Sequence, residues 1–197
     1  SRLAVTAPAP ERARRWQARA QMEHAAVASL GRFALALVAL GAEPELVAAA
    51  HRAAADEVAH ARLAFGLARA YGGDAVAPGA FPFPAAGVPL ARDLAELAVR
   101  TVFEGAIEET LGVIALAAEH AACTEPAERR VLAAILRDER RHALLAWRTL
   151  RWAVEVGGTS VRAAVREAFA RGRSAVVTTP EMMRTWREVM EPCIAAC

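Results

Sequence analysis

A glutamate followed three residues later by a histidine occurs twice in this chain, and this pattern constrains the fold more than any other feature. Residues 56–60 read Asp-Glu-Val-Ala-His, and residues 138–142 read Asp-Glu-Arg-Arg-His. Side chains three positions apart lie on the same side of an α-helix, so each copy can present one carboxylate and one imidazole to a common centre. In a four-helix bundle, two such helices and one glutamate from each of the other two form an inward-facing ligand set for two metal ions.

The two patterns belong to an internal repeat, which indicates where the remaining glutamates lie. Residues 23–31 match residues 104–112 at glutamate, alanine, leucine and glycine, and the segments that carry the two patterns also match. The single glutamate precedes the patterned glutamate by 34 residues in the first half and by 35 in the second. Each half is therefore predicted to be a helical hairpin. The six predicted metal ligands, which we also expect to be the catalytic groups, are Glu23, Glu57, His60, Glu104, Glu139 and His142.

Turn and capping residues divide the chain into helices and indicate an all-α fold. The predicted four-helix bundle occupies residues 10–156, with helices over residues 10–40, 44–71, 90–122 and 126–156. Four prolines within residues 74–89 make this segment a long crossover between the second and third helices. Residues 1–9 are predicted to be a flexible arm. Residues 157–197 are predicted to be a helical extension packed on the bundle, with helices ending near Gly172 and beginning at Pro180.

Composition restricts the class of protein. A chain of 197 residues with 55% apolar residues suits one domain with a sizeable core. The net charge of +2, with acids and bases interspersed, offers no basic surface for nucleic acid. The longest apolar run, residues 33–42, is half of the roughly 20 residues that a membrane span needs. Three cysteines form no disulfide framework and no signal peptide is recognised, so we expect a cytoplasmic protein that binds neither nucleic acid nor membrane.

The predicted ligand types suit a pair of divalent metal ions. Divalent iron and manganese prefer carboxylate oxygen and imidazole nitrogen, and carboxylates can bridge two cations. Four glutamates carry the four negative charges that neutralise two such ions. Without metal, the same carboxylates would repel one another in an apolar bundle and would be driven to take up protons. A metal site is therefore favoured over a purely structural cluster.

Neighbouring acidic residues are candidates for supporting roles. Asp56 and Asp138, each directly before a patterned glutamate, are predicted to accept the outer N–H of the other hairpin's histidine; the alternative is a surface aspartate. Glu108, one turn after Glu104, is a candidate seventh ligand or mobile carboxylate. Glu109 points about 140° away from Glu104 on an α-helix and is predicted to be structural. The four tryptophans are interpreted as packing residues.

The repeat, the two spacings and the long crossover resemble the ferritin-like superfamily. Its bacterioferritins, rubrerythrins, ribonucleotide reductase small subunits and di-iron oxygenases share two Glu-x-x-His helices and two single-glutamate helices. The resemblance covers residues 15–156, and residues 138–142 resemble the Asp-Glu-x-Arg-His form of the oxygenase branch. It implies that the six predicted ligands hold two Fe ions, with Mn/Fe or Mn/Mn as alternative pairs. It also implies that the reduced metals react with O₂ or H₂O₂.

Departures from the family patterns narrow the expected function. The chain lacks the Cys-x-x-Cys iron domain of rubrerythrins, and Ala64 stands where reductases carry a radical tyrosine. We expect an oxidoreductase that oxidises a small organic substrate with an external electron donor, with a homodimer as one assembly that the sequence allows. The alternative is an iron-handling ferroxidase or a peroxide-scavenging protein. A third class is a helical interaction module without catalysis.

Overall fold

A computed structural model describes residue 5 and residues 7–72, 77–84 and 87–196, and these residues contain helices and no strand. This confirms the predicted all-helical class. Helix α1 (Pro10–Ala39) and helix α2 (Pro44–Ala70) form the first hairpin, and a proline begins each of them, where its missing N–H is harmless. The predicted arm and the predicted crossover lie partly outside the described residues, and they contain no helix where they are described.

The second hairpin differs from the first by a π-helical segment. Helix α3 runs without a break through Leu94–Arg100, the π-helical Thr101–Ile107 and Glu108–Ala122, and helix α4 spans Pro126–Val176. A π-helix bonds each N–H five residues back, so each turn contains more residues than an α-turn. Residues after the π segment therefore face a different direction from the one that a regular α-helix would give them.

Helix α4 contains both the fourth and the fifth predicted helices. Gly158 interrupts it with φ 67° and ψ −147°, a conformation that glycine tolerates because it has no Cβ. Three short consecutive segments then form α5, namely Pro180–Thr185, Trp186–Met190 and Glu191–Ala195. Trp186 and Met190 of α5 are buried in the same core cluster as side chains of α1, α3 and α4.

The apolar core is divided by a polar layer. One core cluster contains buried side chains such as Leu37, Val102 and Leu150, and the other contains Trp16, Leu67 and Leu132. In α2 and α4, the residues between the parts that belong to the two clusters include four buried polar side chains, namely Glu57, His60, Asp138 and His142. Because it is costly to bury an unpaired charge, these side chains must pair with one another or bind an ion of opposite charge.

One described helix, α1, is long and apolar enough by length and composition to cross a membrane. An 18-residue window of this helix has a mean hydropathy of 1.3, and 17% of the window is buried. Core helices and signal sequences have the same length and apolar composition, so these two properties do not distinguish the three cases.

Two glycines of α3 provide a matched test of how closely α3 and α4 pack. A methyl group on Gly105 would lie 2.7 Å from Ala146 Cβ, whereas one on Gly112 would meet nothing within 4 Å. We expect Gly105→Ala to lower the free energy of unfolding, because overpacking costs about 1–3 kcal/mol and exceeds the ~0.5–1 kcal/mol gained by alanine in a helix. Gly112→Ala should raise it by that smaller amount. Urea denaturation measures both, and equal effects would contradict the close approach.

Candidate metal centre

Side chains from four helices meet at one level of the protein, where their carboxylates and imidazoles form two overlapping groups. The first group consists of Glu23, Glu57, His60 and Glu139, and the second consists of Glu109, Glu139 and His142. Within each group the potential ligand atoms all lie within 4.8 Å of one another. Glu139 belongs to both groups, so the cluster could hold metal ions at two adjacent positions.

Each histidine is oriented by an aspartate from the opposite hairpin. His60 Nε2 lies 3.3 Å from Asp138 Oδ2, and His142 Nε2 lies 3.2 Å from Asp56 Oδ2. A carboxylate can only accept a hydrogen bond, so we assign the N–H to Nε2 in both rings. This assignment leaves Nδ1 of each histidine facing the centre of the cluster, where it could bind an ion after releasing its own proton.

The inward-facing histidine nitrogens lie close to carboxylate oxygens. His142 Nδ1 is 3.1 Å from Glu57 Oε1 and 3.2 Å from Glu139 Oε2. His60 Nδ1 is 3.4 Å from Glu139 Oε1 and 3.5 Å from Glu57 Oε2. Glu57 and Glu139 therefore lie between the two histidines, which is the position from which a carboxylate can bridge two ions.

Buried polar atoms without a hydrogen-bond partner test whether these residues fit a metal. Within the part of the chain that is described, Glu57 Oε2, His60 Nδ1 and His142 Nδ1 are buried and form no hydrogen bond of acceptable geometry. Buried polar atoms normally have a partner, and three such orphans converge here. All three are carboxylate oxygen or imidazole nitrogen atoms, the types that bind divalent metals, so the donor set fits the binding of metal ions.

The histidines of the metal-free cluster favour their protonated form. Burial opposes the charge on His60, but the carboxylates of Glu139, Glu23 and Glu57 outweigh it and raise the pKa of His60 to about 12. The same balance, with Glu139 and Glu57 as neighbours, raises the pKa of His142 to about 10. Burial also opposes the charge on Glu139, yet the imidazoles of His142 and His60 next to it lower its pKa to about 2.

Two carboxylates of the cluster favour their neutral form. Burial raises the pKa of Glu23 to about 7, although His60 opposes this shift. Burial and the charge of Glu139 raise the pKa of Glu109 to about 9. Without metal the cluster thus retains protons in the way expected for carboxylates crowded in an apolar environment. Metal ions would have to displace these protons in order to bind.

The structure places Glu109 in the cluster and places Glu104 outside it, contrary to the sequence-based expectation for helix three. The side chain of Glu104 is 50% exposed and forms an ion pair with Arg32 of α1. The π-helical segment rotates the residues that follow it, and Gly105, next to Glu104, faces Ala146 of α4 instead. The repeat alignment assumed a regular α-helix and so did not anticipate the direction that the π-helical segment gives to Glu109.

The sequence contains a feature that favours Glu109, namely its distance along the helix from the turn that joins α3 and α4. Glu139 lies 13 residues after Pro126, and Glu109 lies 13 residues before Ala122, so both are about 20 Å from the turn at 1.5 Å per residue. Glu104 lies 18 residues before Ala122, which is roughly 8 Å further along the helix. If the two helices contribute ligands at the same distance from the turn, Glu109 is the partner of Glu139. If the internal repeat is used instead, Glu104 is the partner.

The remaining predicted residues take other places around the cluster. Glu108 is exposed on the surface of α3, so it is not among the grouped ligand atoms. Arg141 Nη2 lies 3.0 Å from Asp56 Oδ2 and Arg141 Nη1 lies 2.8 Å from Asp138 Oδ1, so one guanidinium joins the two aspartates that orient the histidines.

Removing the charge of Asp138 tests whether the aspartates support metal binding. We expect Asp138→Asn to lower metal affinity by about 10–100-fold, because loss of an outer partner weakens the ligand histidine by that range. Asp93→Asn is a matched control, since Asp93 caps α3 through the Glu96 N–H and asparagine caps equally well. Isothermal titration with a divalent metal measures both. Equal affinities for the two variants would show that Asp138 does not support the site.

Comparisons with known proteins supply no family for this chain. No protein-family model matches it, and no curated protein or solved structure matches it. What the fold and the site establish is a helical protein with buried glutamate and histidine groups that could hold metal ions. Any narrower identity rests on the chain's own residues and their geometry.

Proposed function

We propose that this chain is a ferritin-like, di-iron oxidoreductase that uses O₂ or H₂O₂ to oxidise a small organic substrate. The observation that carries the proposal is the pair of buried, unpartnered Nδ1 atoms of His60 and His142, which face each other across Glu57 and Glu139. When bound, two redox-active ions such as iron would supply the electrons that reduce O₂ or peroxide. An external donor would return those electrons in the cytoplasm, where we propose that the protein acts.

The residues of the chain would have distinct roles in this site. Glu57 and Glu139 lie between the histidines and would bridge the two ions, while His60 and His142 would each hold one. Glu23 on one side and Glu109 on the other would complete the two ligand sets. Four carboxylates then balance the charge of two divalent ions in a buried layer, which removes the cost of burying unpaired charge.

A ferroxidase is the second candidate, with Fe(II) itself as the substrate. The exposed carboxylate of Glu108, directly before Glu109, supports it because a surface carboxylate next to a ligand can attract an entering cation. Peroxide scavenging would use the same centre without an organic substrate. The difference between these candidates and the oxidoreductase lies in what is consumed together with O₂ or H₂O₂.

The first experiment is to load the protein with Fe(II) under anaerobic conditions, measure iron per chain by elemental analysis, and then record visible absorption on exposure to O₂. We expect two irons per chain and a transient visible band. A double variant, His60→Gln with His142→Gln, is the control and should lose both. Repeated oxidation of added Fe(II), with mineral accumulating in a large assembly, would favour the ferroxidase. Absence of bound iron would contradict both candidates.

A further inference from the structure

An apolar pocket lies between α1, α3 and α4 and reaches the metal centre. Its volume is about 100 Å³, and Glu109 and His142 are among the residues that line it. Most of its wall consists of apolar side chains, including Leu30, Phe33, Leu97, Leu145 and Ala146. A ligand in this pocket would therefore contact the cluster at one end and hydrocarbon over the rest of its surface.

The volume of the pocket suits a small molecule. An apolar cavity of roughly 150 Å³ stays dry in water and takes up benzene or xenon. A pocket of about 100 Å³ is therefore suited to a single ring or a short chain of roughly six or seven heavy atoms. Such pockets bind apolar ligands because burial removes apolar surface from water.

The charges around the pocket favour an uncharged ligand. Arg32 and Arg100 line it, and both are already paired with carboxylates. Arg32 pairs with Glu104, while Arg100 Nη2 lies 2.6 Å from Glu96 Oε1 and its Nη1 donates to the Pro89 carbonyl at 3.2 Å. An anionic ligand would have to compete with these carboxylates for the two guanidinium groups, so the paired arginines do not favour an acid.

We infer that this pocket binds an uncharged apolar molecule of single-ring size against Glu109 and His142, with the Arg32–Glu104 pair as its wall towards solvent. The pocket is formed by the protein alone, so binding does not require a metal. The inference rests on the proposed function only in that the bound molecule would be the organic substrate of that site. Its class follows from the volume, the apolar wall and the balanced charges.

The binding is tested on the metal-free full chain with two fluorinated probes observed by ¹⁹F NMR. Fluorobenzene has the expected size and no charge, and 4-fluorobenzoate adds a carboxylate to the same ring. We expect saturable broadening of the fluorobenzene signal and at least tenfold weaker binding of the benzoate. Stronger binding of the benzoate would overturn the uncharged class, and no binding of fluorobenzene would overturn the pocket itself.

Matched leucine substitutions on α1 locate the binding. Ala26 and Ser29 line the pocket, whereas Ala28 is half-buried on the same helix and does not line it. We expect Ala26→Leu to weaken fluorobenzene binding at least tenfold and Ala28→Leu to change it by less than twofold. Ser29→Leu, at an exposed position that tolerates substitution, provides a second pocket variant if Ala26→Leu fails to fold. Equal binding by the folded pocket variants and Ala28→Leu would overturn the assignment.

Failure of this inference is distinguishable from failure of the proposed function. Fluorobenzene binding to a protein that takes up no iron would support the pocket and contradict the oxidoreductase. Two irons per chain that react with O₂, without fluorobenzene binding, would support the metal centre and overturn the pocket. The two measurements use the same protein preparation. Circular dichroism of this preparation shows whether the protein is folded before either measurement is interpreted.

Discussion

We expect Glu109→Gln to reduce the metal bound per chain from two divalent ions to one. The affinity for the ion that is lost should fall by more than about 100-fold. Changes to outer partners of metal ligands already reach that size, and Glu109 is in direct reach of the second ion position. Glutamine keeps the shape of the side chain but removes the negative charge. Because burial raises the pKa of Glu109 to about 9, the neutral amide should be tolerated in the metal-free fold.

Two neighbouring glutamates supply the controls for this experiment. Glu104→Gln removes the exposed partner of Arg32, and Glu108→Gln removes an exposed surface charge. Both variants should retain two ions per chain by elemental analysis and by titration under anaerobic conditions. The opposite result, with metal lost from Glu104→Gln and kept by Glu109→Gln, would show that the π-helical register does not hold when metal binds.

We expect the metal-free protein to lose stability as the pH rises from 7 to 9. Its folded state raises the pKa of His142 from 6.5 to about 10 and that of His60 from 6.5 to about 12. It also raises the pKa of Glu109 from 4.5 to about 9. Between the unfolded and the folded pKa, the folded protein holds a proton that the unfolded chain has released, so stability falls with pH.

The expected slope is at least that of one proton, about 1.4 kcal/mol per pH unit. Glu139 acts in the opposite direction, because its pKa is lowered to about 2 and its contribution is lost only below about pH 4.5. Urea denaturation at a series of pH values measures the slope. Metal-free Glu109→Gln should show a shallower slope, because it carries one titrating group fewer.

Bound metal should remove this pH dependence of stability. Ions replace the protons held by His60, His142 and Glu109, so metal affinity should increase with pH and binding should release protons into a weakly buffered solution. The metal-loaded protein should therefore keep its stability between pH 7 and 9. A metal-free protein whose stability is constant or rises over this interval would contradict the protonated cluster.

Local patterns predicted the all-helical class and the first residues of three long helices. Prolines at the first turns and glycines near the turns marked the helix boundaries, so the predicted starts at Pro10, Pro44 and Pro126 agree with the structure. The glycine pair at 157–158 indicated a break, and the structure places non-helical backbone at Gly158. The sequence predicted a separate helix that begins after this pair and ends near Gly172, and the structure continues the helix directly after Gly158 to Val176.

The sequence alone determined which helices present a carboxylate and an imidazole together, because residues three apart share a helix face whatever surrounds them. It also placed Asp56 and Asp138 beside those pairs. Only the tertiary structure decided that Glu109 joins the cluster, and that Glu104 pairs with Arg32 instead. That choice depends on the π-helical segment and on the close packing of α3 against α4. The packing is a contact between distant parts of the chain, which a local sequence pattern does not reveal.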